Sequence, residues 1–78
     1  MKLELFKKDR CPSCVKVMML VDELGVGDKI EYRDIVRDPQ ARKQLVEVGG
    51  KQQVPCLFID GEPLYESADI MRWIEAHL

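Results

Sequence analysis

KLELFKKDRCPSCVKVMMLVDEL, residues 2–24, sets two cysteines at the junction of a strand pattern and a helix pattern. Lys2 to Phe6 alternates polar and apolar residues, with Leu3 in register with Leu5 and Phe6 closing the run, the period-two signature of a strand. From Pro12 to about Leu24, Cys14, Val17, Met18, Val21 and Leu24 recur at helical spacing, and Gly25 and Gly27 end the run. Cys11 therefore falls where a charged loop becomes a helix, and Pro12 takes a first-turn position where its missing N–H costs nothing.

Outward from that junction the punctuation is regular. Ile30 to Val36 reads as a second strand. Asp38-Pro39 is an N-cap followed by proline at the first helical position, opening a helix that closes at Gly49-Gly50. Leu57 to Asp60 is a short apolar strand, Asp60-Gly61 a hairpin signal, and Leu64-Tyr65-Glu66 the returning strand. Ser67 is the expected N-cap of a last helix whose apolar stripe is Ile70, Met71, Ile74 and Leu78. The predicted order is β-α-β-α-β-β-α, an α/β domain. A strand-helix-strand opening implies a parallel pair and the closing hairpin an antiparallel one, so the four-stranded sheet is mixed and three helices flank it.

Composition bounds what this framework can do. The chain has 78 residues, 46% of them hydrophobic, with 12 Lys+Arg against 14 Asp+Glu and a net charge of -2. A chain of this size buries about 60–65% of its unfolded surface, enough for one core over residues 1–78 and a shallow site. An acidic balance argues against nucleic acid as a partner. The distribution is uneven: residues 2–16 carry five cations against two carboxylates, and residues 60–78 one against five. The longest apolar run, Val17 to Val21, is far short of a membrane span, and no signal peptide precedes Lys2. A cytoplasmic monomer, away from membranes, is the expectation.

Three cysteines are an odd set, and the Cys11-Pro12-Ser13-Cys14 spacing fits a catalytic or metal-binding pair better than a secreted disulfide framework. At a helix start, free N–H groups and the positive dipole end favour a thiolate at Cys11, and Lys8 and Arg10 add charge. Cys14 lies one turn on, on the same helix face, where it can close a disulfide. Cys11 is then the nucleophile and Cys14 the resolving thiol. Two other readings stay open on the residues alone: a zinc set completed by Cys56 and His77, and a pair of inert buried thiols. Pro55, at the start of a strand, would ordinarily follow a trans bond. Cys56 reads as a packed apolar thiol, and Ser67 as either a cap or an anion site.

A helix-opening Cys-Pro-x-Cys after the first strand, then Val54-Pro55 before the Leu57-Phe58-Ile59-Asp60-Gly61 hairpin, resembles the glutaredoxin family over nearly the whole chain. The resemblance implies a thioredoxin-like fold, a cis Pro55 beside Cys11, and glutathione as co-substrate with no tightly bound cofactor and no metal. It implies that Lys8 and Lys51 meet glutathione carboxylates, that Val54 pairs by its backbone with the cysteinyl part, and that Ser67 holds the γ-glutamyl carboxylate. Glu66-Ser67 departs from the glycine-containing turn usual in glutaredoxins and is similar to the Glu-Ser pair of the glutathione transferase N-terminal domain, where Glu66 would meet the γ-glutamyl amine. A full transferase is not expected without a helical second domain. Ser13 replaces the common tyrosine, and Gln52-Gln53 the usual threonine. The implied activity is a glutathione-dependent thiol-disulfide oxidoreductase acting on protein disulfides and glutathionylated proteins through Cys11 and Cys14. The alternatives are a redoxin reduced by thioredoxin reductase and a protein binding zinc or an iron-sulfur cluster.

Overall fold

A computed structural model describes residues 1–78. Its elements are β1 (Leu3–Lys7), α1 (Pro12–Leu24), β2 (Glu31–Asp34), α2 (Pro39–Gln44, continued by a π turn over Leu45–Gly49), β3 (Cys56–Ile59), β4 (Glu62–Tyr65) and α3 (Ser67–His77). The sheet order is β2-β1-β3-β4. β1 runs parallel to β2 and antiparallel to β3, and β3 is antiparallel to β4. This is the thioredoxin-like arrangement, with four strands, mixed pairing and three helices.

The period-two alternation in β1 explains the two layers. Leu3 and Leu5 face α1 and α3, where they join Val17, Val21, Leu57, Ile70 and Ile74 in the larger core. Phe6 faces the other way, toward α2, and packs with Ile35, Ala41, Leu45, Cys56 and Phe58. Its ring meets Phe58 at 4.5 Å between centroids, a tilted contact of the kind aromatic pairs prefer. Glu4 lies on the α2 side as well and is 3% exposed, so its charge needs a partner; Arg33 of β2 supplies one at 2.7 Å and also bonds Gln44 of α2. β4 is an edge strand, which is why Pro63 can sit inside it.

Helix ends follow local chemistry at two of the three starts. Asp38 caps α2 by accepting from the Gln40 N–H at 3.0 Å, with Pro39 in the first turn. Cys11 caps α1. At α3 the expected cap is displaced: Ser67 is already helical, and Glu66 is the capping position, in a left-handed conformation with φ 73°. The Glu66 carbonyl accepts the first helical bond, from the Ile70 N–H at 3.0 Å, and no side chain caps the helix. The turn out of β4 is tight enough that the reversal falls on Glu66 and leaves Ser67 in the first turn. The second strand is also shorter than its apolar pattern, because the Asp34 carboxylate accepts from the Val36 and Arg37 N–H groups and turns the chain, while Ile35 packs in the smaller core.

Candidate active site

Cys11 has extended backbone, φ -110° and ψ 107°, while its carbonyl already accepts the first helical bond from the Val15 N–H at 2.9 Å. Its side chain turns back over the helix mouth, and its Sγ accepts from the Cys14 N–H at 3.3 Å. A sulfur in this place does the work an Asp or Ser oxygen does in an ordinary N-cap, and hydrogen bonding from a backbone N–H favours the anionic form of the acceptor. Cys11 is 9% exposed, whereas Cys14 and Cys56 have no exposed surface. Both cysteines are free thiols.

Cys14 is fully buried at the next turn. Burial pushes its thiol up to about 11, the Cys11 hydrogen bond pushes the same way, and the Lys8 backbone N–H works against them. Cys56 is likewise buried, beneath Phe6 and Phe58, and burial pushes it up to about 11 against a hydrogen bond with Tyr65. At neutral pH both hold their protons. Cys56 is thus the packed thiol its sequence position suggests. The structure gathers no group of three His, Cys, Asp or Glu side chains able to hold a metal ion.

The loop carrying Cys11 is braced from below. Lys7 reaches both Asp9 and Asp34 at 3.3 Å, and Arg37 bonds Asp9 at 2.9 Å. Burial opposes the Lys7 charge, but the two carboxylates outweigh it and raise its pKa. The Asp34 carboxylate is held below its usual range, first by the Arg37 backbone N–H and then by Val36 and Lys7, despite its burial. These contacts tie the end of β1 to the β2–α2 loop, and Lys8 stays exposed.

Lys8 and Val54 line one open cleft of about 400 Å³ with Val36, Arg42 and Gln52. Arg42 of α2 is a cation sequence reading missed; on a helix surface its charge is indistinguishable from ordinary solvated charge, and only the packing of α2 turns it toward Lys8. The Val54–Pro55 peptide bond is cis. None of the backbone hydrogen bonds outside the helices and strands falls on residues 51–54, so the Val54 N–H and C=O are free of backbone partners. Lys51 does not line the cleft: its ammonium lies over the Tyr65 ring, 5.0 Å from the centroid. Glu66 accepts from Gln53 Nε2 at 3.2 Å, linking the segment before Pro55 to the start of α3. Ser67 stands at that helix start, where the first N–H groups lack intrahelical partners.

Residues 10–77 match the family model described as glutathione S-transferase, N-terminal domain. Among curated proteins, chloroplastic glutaredoxin-C4 of Oryza sativa subsp. japonica is 32% identical over 68 residues, covering 86% of this chain and 51% of that one. Monothiol glutaredoxin-S11 of Arabidopsis thaliana is 33% identical over 70 residues, covering 86% of this chain and 69% of that one. The chain thus spans about half the length of the first relative and somewhat over two thirds of the second. Among solved structures, the thioredoxin-like protein BC3987 superposes with a TM-score of 0.81 at 26% identity, covering 99% of this chain and 100% of that one.

Proposed function

The chain belongs to the glutaredoxin family, with a sequence that also fits the glutathione S-transferase N-terminal domain, and from that premise we propose that it is a glutathione-dependent thiol-disulfide oxidoreductase. The observation that carries the reading is the Cys11 sulfur held at the mouth of α1 by the Cys14 N–H, while burial keeps the other two thiols of the chain protonated. Cys11 thiolate attacks the glutathionyl sulfur of a mixed disulfide. The new bond joins Cys11 to glutathione, and the substrate thiolate departs and takes up a proton. A second glutathione thiolate then attacks the glutathionyl sulfur, releasing oxidised glutathione and restoring the Cys11 thiolate.

A protein disulfide follows a second branch. Cys11 thiolate attacks one substrate sulfur, the substrate S–S bond breaks, and the other sulfur leaves as a thiolate that takes up a proton. Cys14 gives up its proton and attacks Cys11; the mixed disulfide breaks, the second substrate thiolate is protonated, and two glutathiones reduce the Cys11–Cys14 disulfide and leave as oxidised glutathione. Burial keeps Cys14 protonated in the free protein, which leaves the first attack to Cys11, since a protonated thiol is a poor nucleophile.

The tripeptide has a carboxylate at each end and an ammonium at one. Lys8 and Arg42, across one cleft, suit the glycyl carboxylate, with Lys51 within the same loop region. The unpaired Val54 backbone, fixed by Pro55, suits the extended cysteinyl part, as a strand edge suits an added strand. Ser67 at the start of α3 suits the γ-glutamyl carboxylate, and Glu66 the ammonium beside it. The chemistry needs no tightly bound cofactor and no metal. We take residues 1–78 as one domain working as a cytoplasmic monomer on glutathionylated and disulfide-containing proteins, without nucleic acid or membrane contact. No helix is long and apolar enough to cross a membrane.

Cys11→Ser and Cys14→Ser, compared on a glutathione-peptide mixed disulfide, test the mechanism. Cys11→Ser is expected to be inactive, and Cys14→Ser to keep mixed-disulfide reduction while losing protein-disulfide reduction. Full turnover by Cys11→Ser would end the proposal. The full-length likeness to a thioredoxin-like protein favours one second reading, a redoxin reduced by a thioredoxin reductase. Assaying the wild type with each donor separates the two.

A further inference from the structure

Tyr65 ends β4, half-buried, opposite Cys56 in the β3–β4 register. Its hydroxyl donates to the Lys51 carbonyl oxygen at 3.0 Å, and the Lys51 ammonium lies over its ring at 5.0 Å. One side chain therefore grips Lys51 by both its backbone and its charge. The chain on the other side is fitted to the same hydroxyl: a Cβ on Gly49 would collide with Tyr65 Oη, so a side chain there must displace the hydroxyl. Gly50, with φ 89°, then turns the backbone toward Lys51.

Residues 51–54 make no backbone–backbone hydrogen bond, and side chains hold them: Val54 packs against the smaller core and Gln53 reaches Glu66. The only hydrogen bond to the backbone of this segment is the one from the Tyr65 hydroxyl to the Lys51 carbonyl, which fixes where the run toward Val54 and Pro55 begins. We infer that Tyr65 is a positioning residue, whose hydroxyl sets where the Val54 N–H and C=O meet the extended part of the bound thiol peptide. The inference rests on the glutathione reading above. Tyr65 touches no reacting atom; it acts through the Lys51 carbonyl.

Tyr65→Phe removes the hydroxyl, with its bonds to the Lys51 carbonyl and the Cys56 thiol, and keeps the ring in the core. The exposed Lys51 carbonyl turns to water, and Cys56→Ala, which removes the thiol alone, isolates the Lys51 bond. With a glutathione-peptide mixed disulfide, KM is expected to rise about five-fold, the equivalent of one lost neutral hydrogen bond, with kcat changed by less than about two-fold. Amide exchange over residues 52–54 is expected to quicken in the same variant. Gly49→Ala, which drives the hydroxyl away, is expected to raise KM on its own and to add little on the Tyr65→Phe background, where the colliding oxygen is gone. A bystander Tyr65 would instead give additive effects.

Unchanged KM and unchanged exchange in Tyr65→Phe would overturn the inference and leave the glutathione reading standing. So would a fall in kcat at constant KM. Should Tyr65→Phe fail to fold, Gly49→Ala alone decides: a raised KM supports the anchor, an unchanged one overturns it. Wild-type protein that turns over no glutathione mixed disulfide would end the functional reading itself, and the inference with it.

Discussion

The Cys11 sulfur caps α1, and the proposed mechanism makes the same atom the nucleophile. The Cys14 N–H that α1 leaves without a helical partner is taken by the Cys11 sulfur, so one bond both opens the helix and fixes where that sulfur sits. Cys14 and Cys56 differ from Cys11 by burial. With thiols pushed up to about 11, each is ionised to only about one part in ten thousand at pH 7. Cys56→Ala is accordingly expected to keep full activity while losing roughly 1 kcal/mol of stability in urea unfolding, the cost of a small void beneath Phe6 and Phe58. Arg42→Glu is expected to raise KM for glutathione about ten-fold or more, by placing a carboxylate where the cleft offers a cation, with kcat for pre-glutathionylated protein little altered.

Among the elements, the most exposed dependence is the link between β1, β2 and α2. Glu4 is buried on the α2 side with Arg33 as its charge partner, so Arg33→Ala strands a carboxylate in the core. Chemical unfolding is expected to show a loss of about 3 kcal/mol, whereas replacing an exposed cation such as Arg72 is expected to cost under about 0.5 kcal/mol. Much of this architecture is legible in the chain. Leu3, Leu5 and Phe6 announce a strand by alternation, Asp38-Pro39 announces a helix start, and Cys11 is placed at a helix mouth by spacing alone. What stays hidden depends on conformation that residue type does not encode. Glu66 takes a left-handed turn that glycine usually occupies, and this moves the cap of α3 one residue away from Ser67. Arg42 and Tyr65 acquire their roles only when α2 and β4 bring them against the Lys51–Val54 segment, contacts between stretches of chain whose side chains carry no local mark.

For the molecule as a whole, pH stability should have two limbs with separate causes. Asp34 has its folded pKa depressed below 3.8, chiefly by the Arg37 backbone N–H. Its contribution is present above that unfolded value and is lost as pH falls through the folded one. Cys14 and Cys56 have folded values raised from 9.0 to about 11, so their contribution is complete below pH 9.0 and is lost as pH rises toward about 11. Urea midpoints measured across both ranges are expected to fall on each side. Asp34→Asn should flatten the acid limb, and Cys56→Ala should flatten part of the alkaline one. A wild-type curve level between pH 9 and 11 would contradict the burial account of the two thiols.

The account turns on one sulfur among three being the reactive one, and limited alkylation measures that directly. Reduced protein treated with substoichiometric iodoacetamide at pH 7, then digested and analysed by mass spectrometry, reports how the label divides among Cys11, Cys14 and Cys56. Label on Cys11 at least about ten-fold above either of the others is the predicted result. An even division, or Cys14 labelled first, would contradict it.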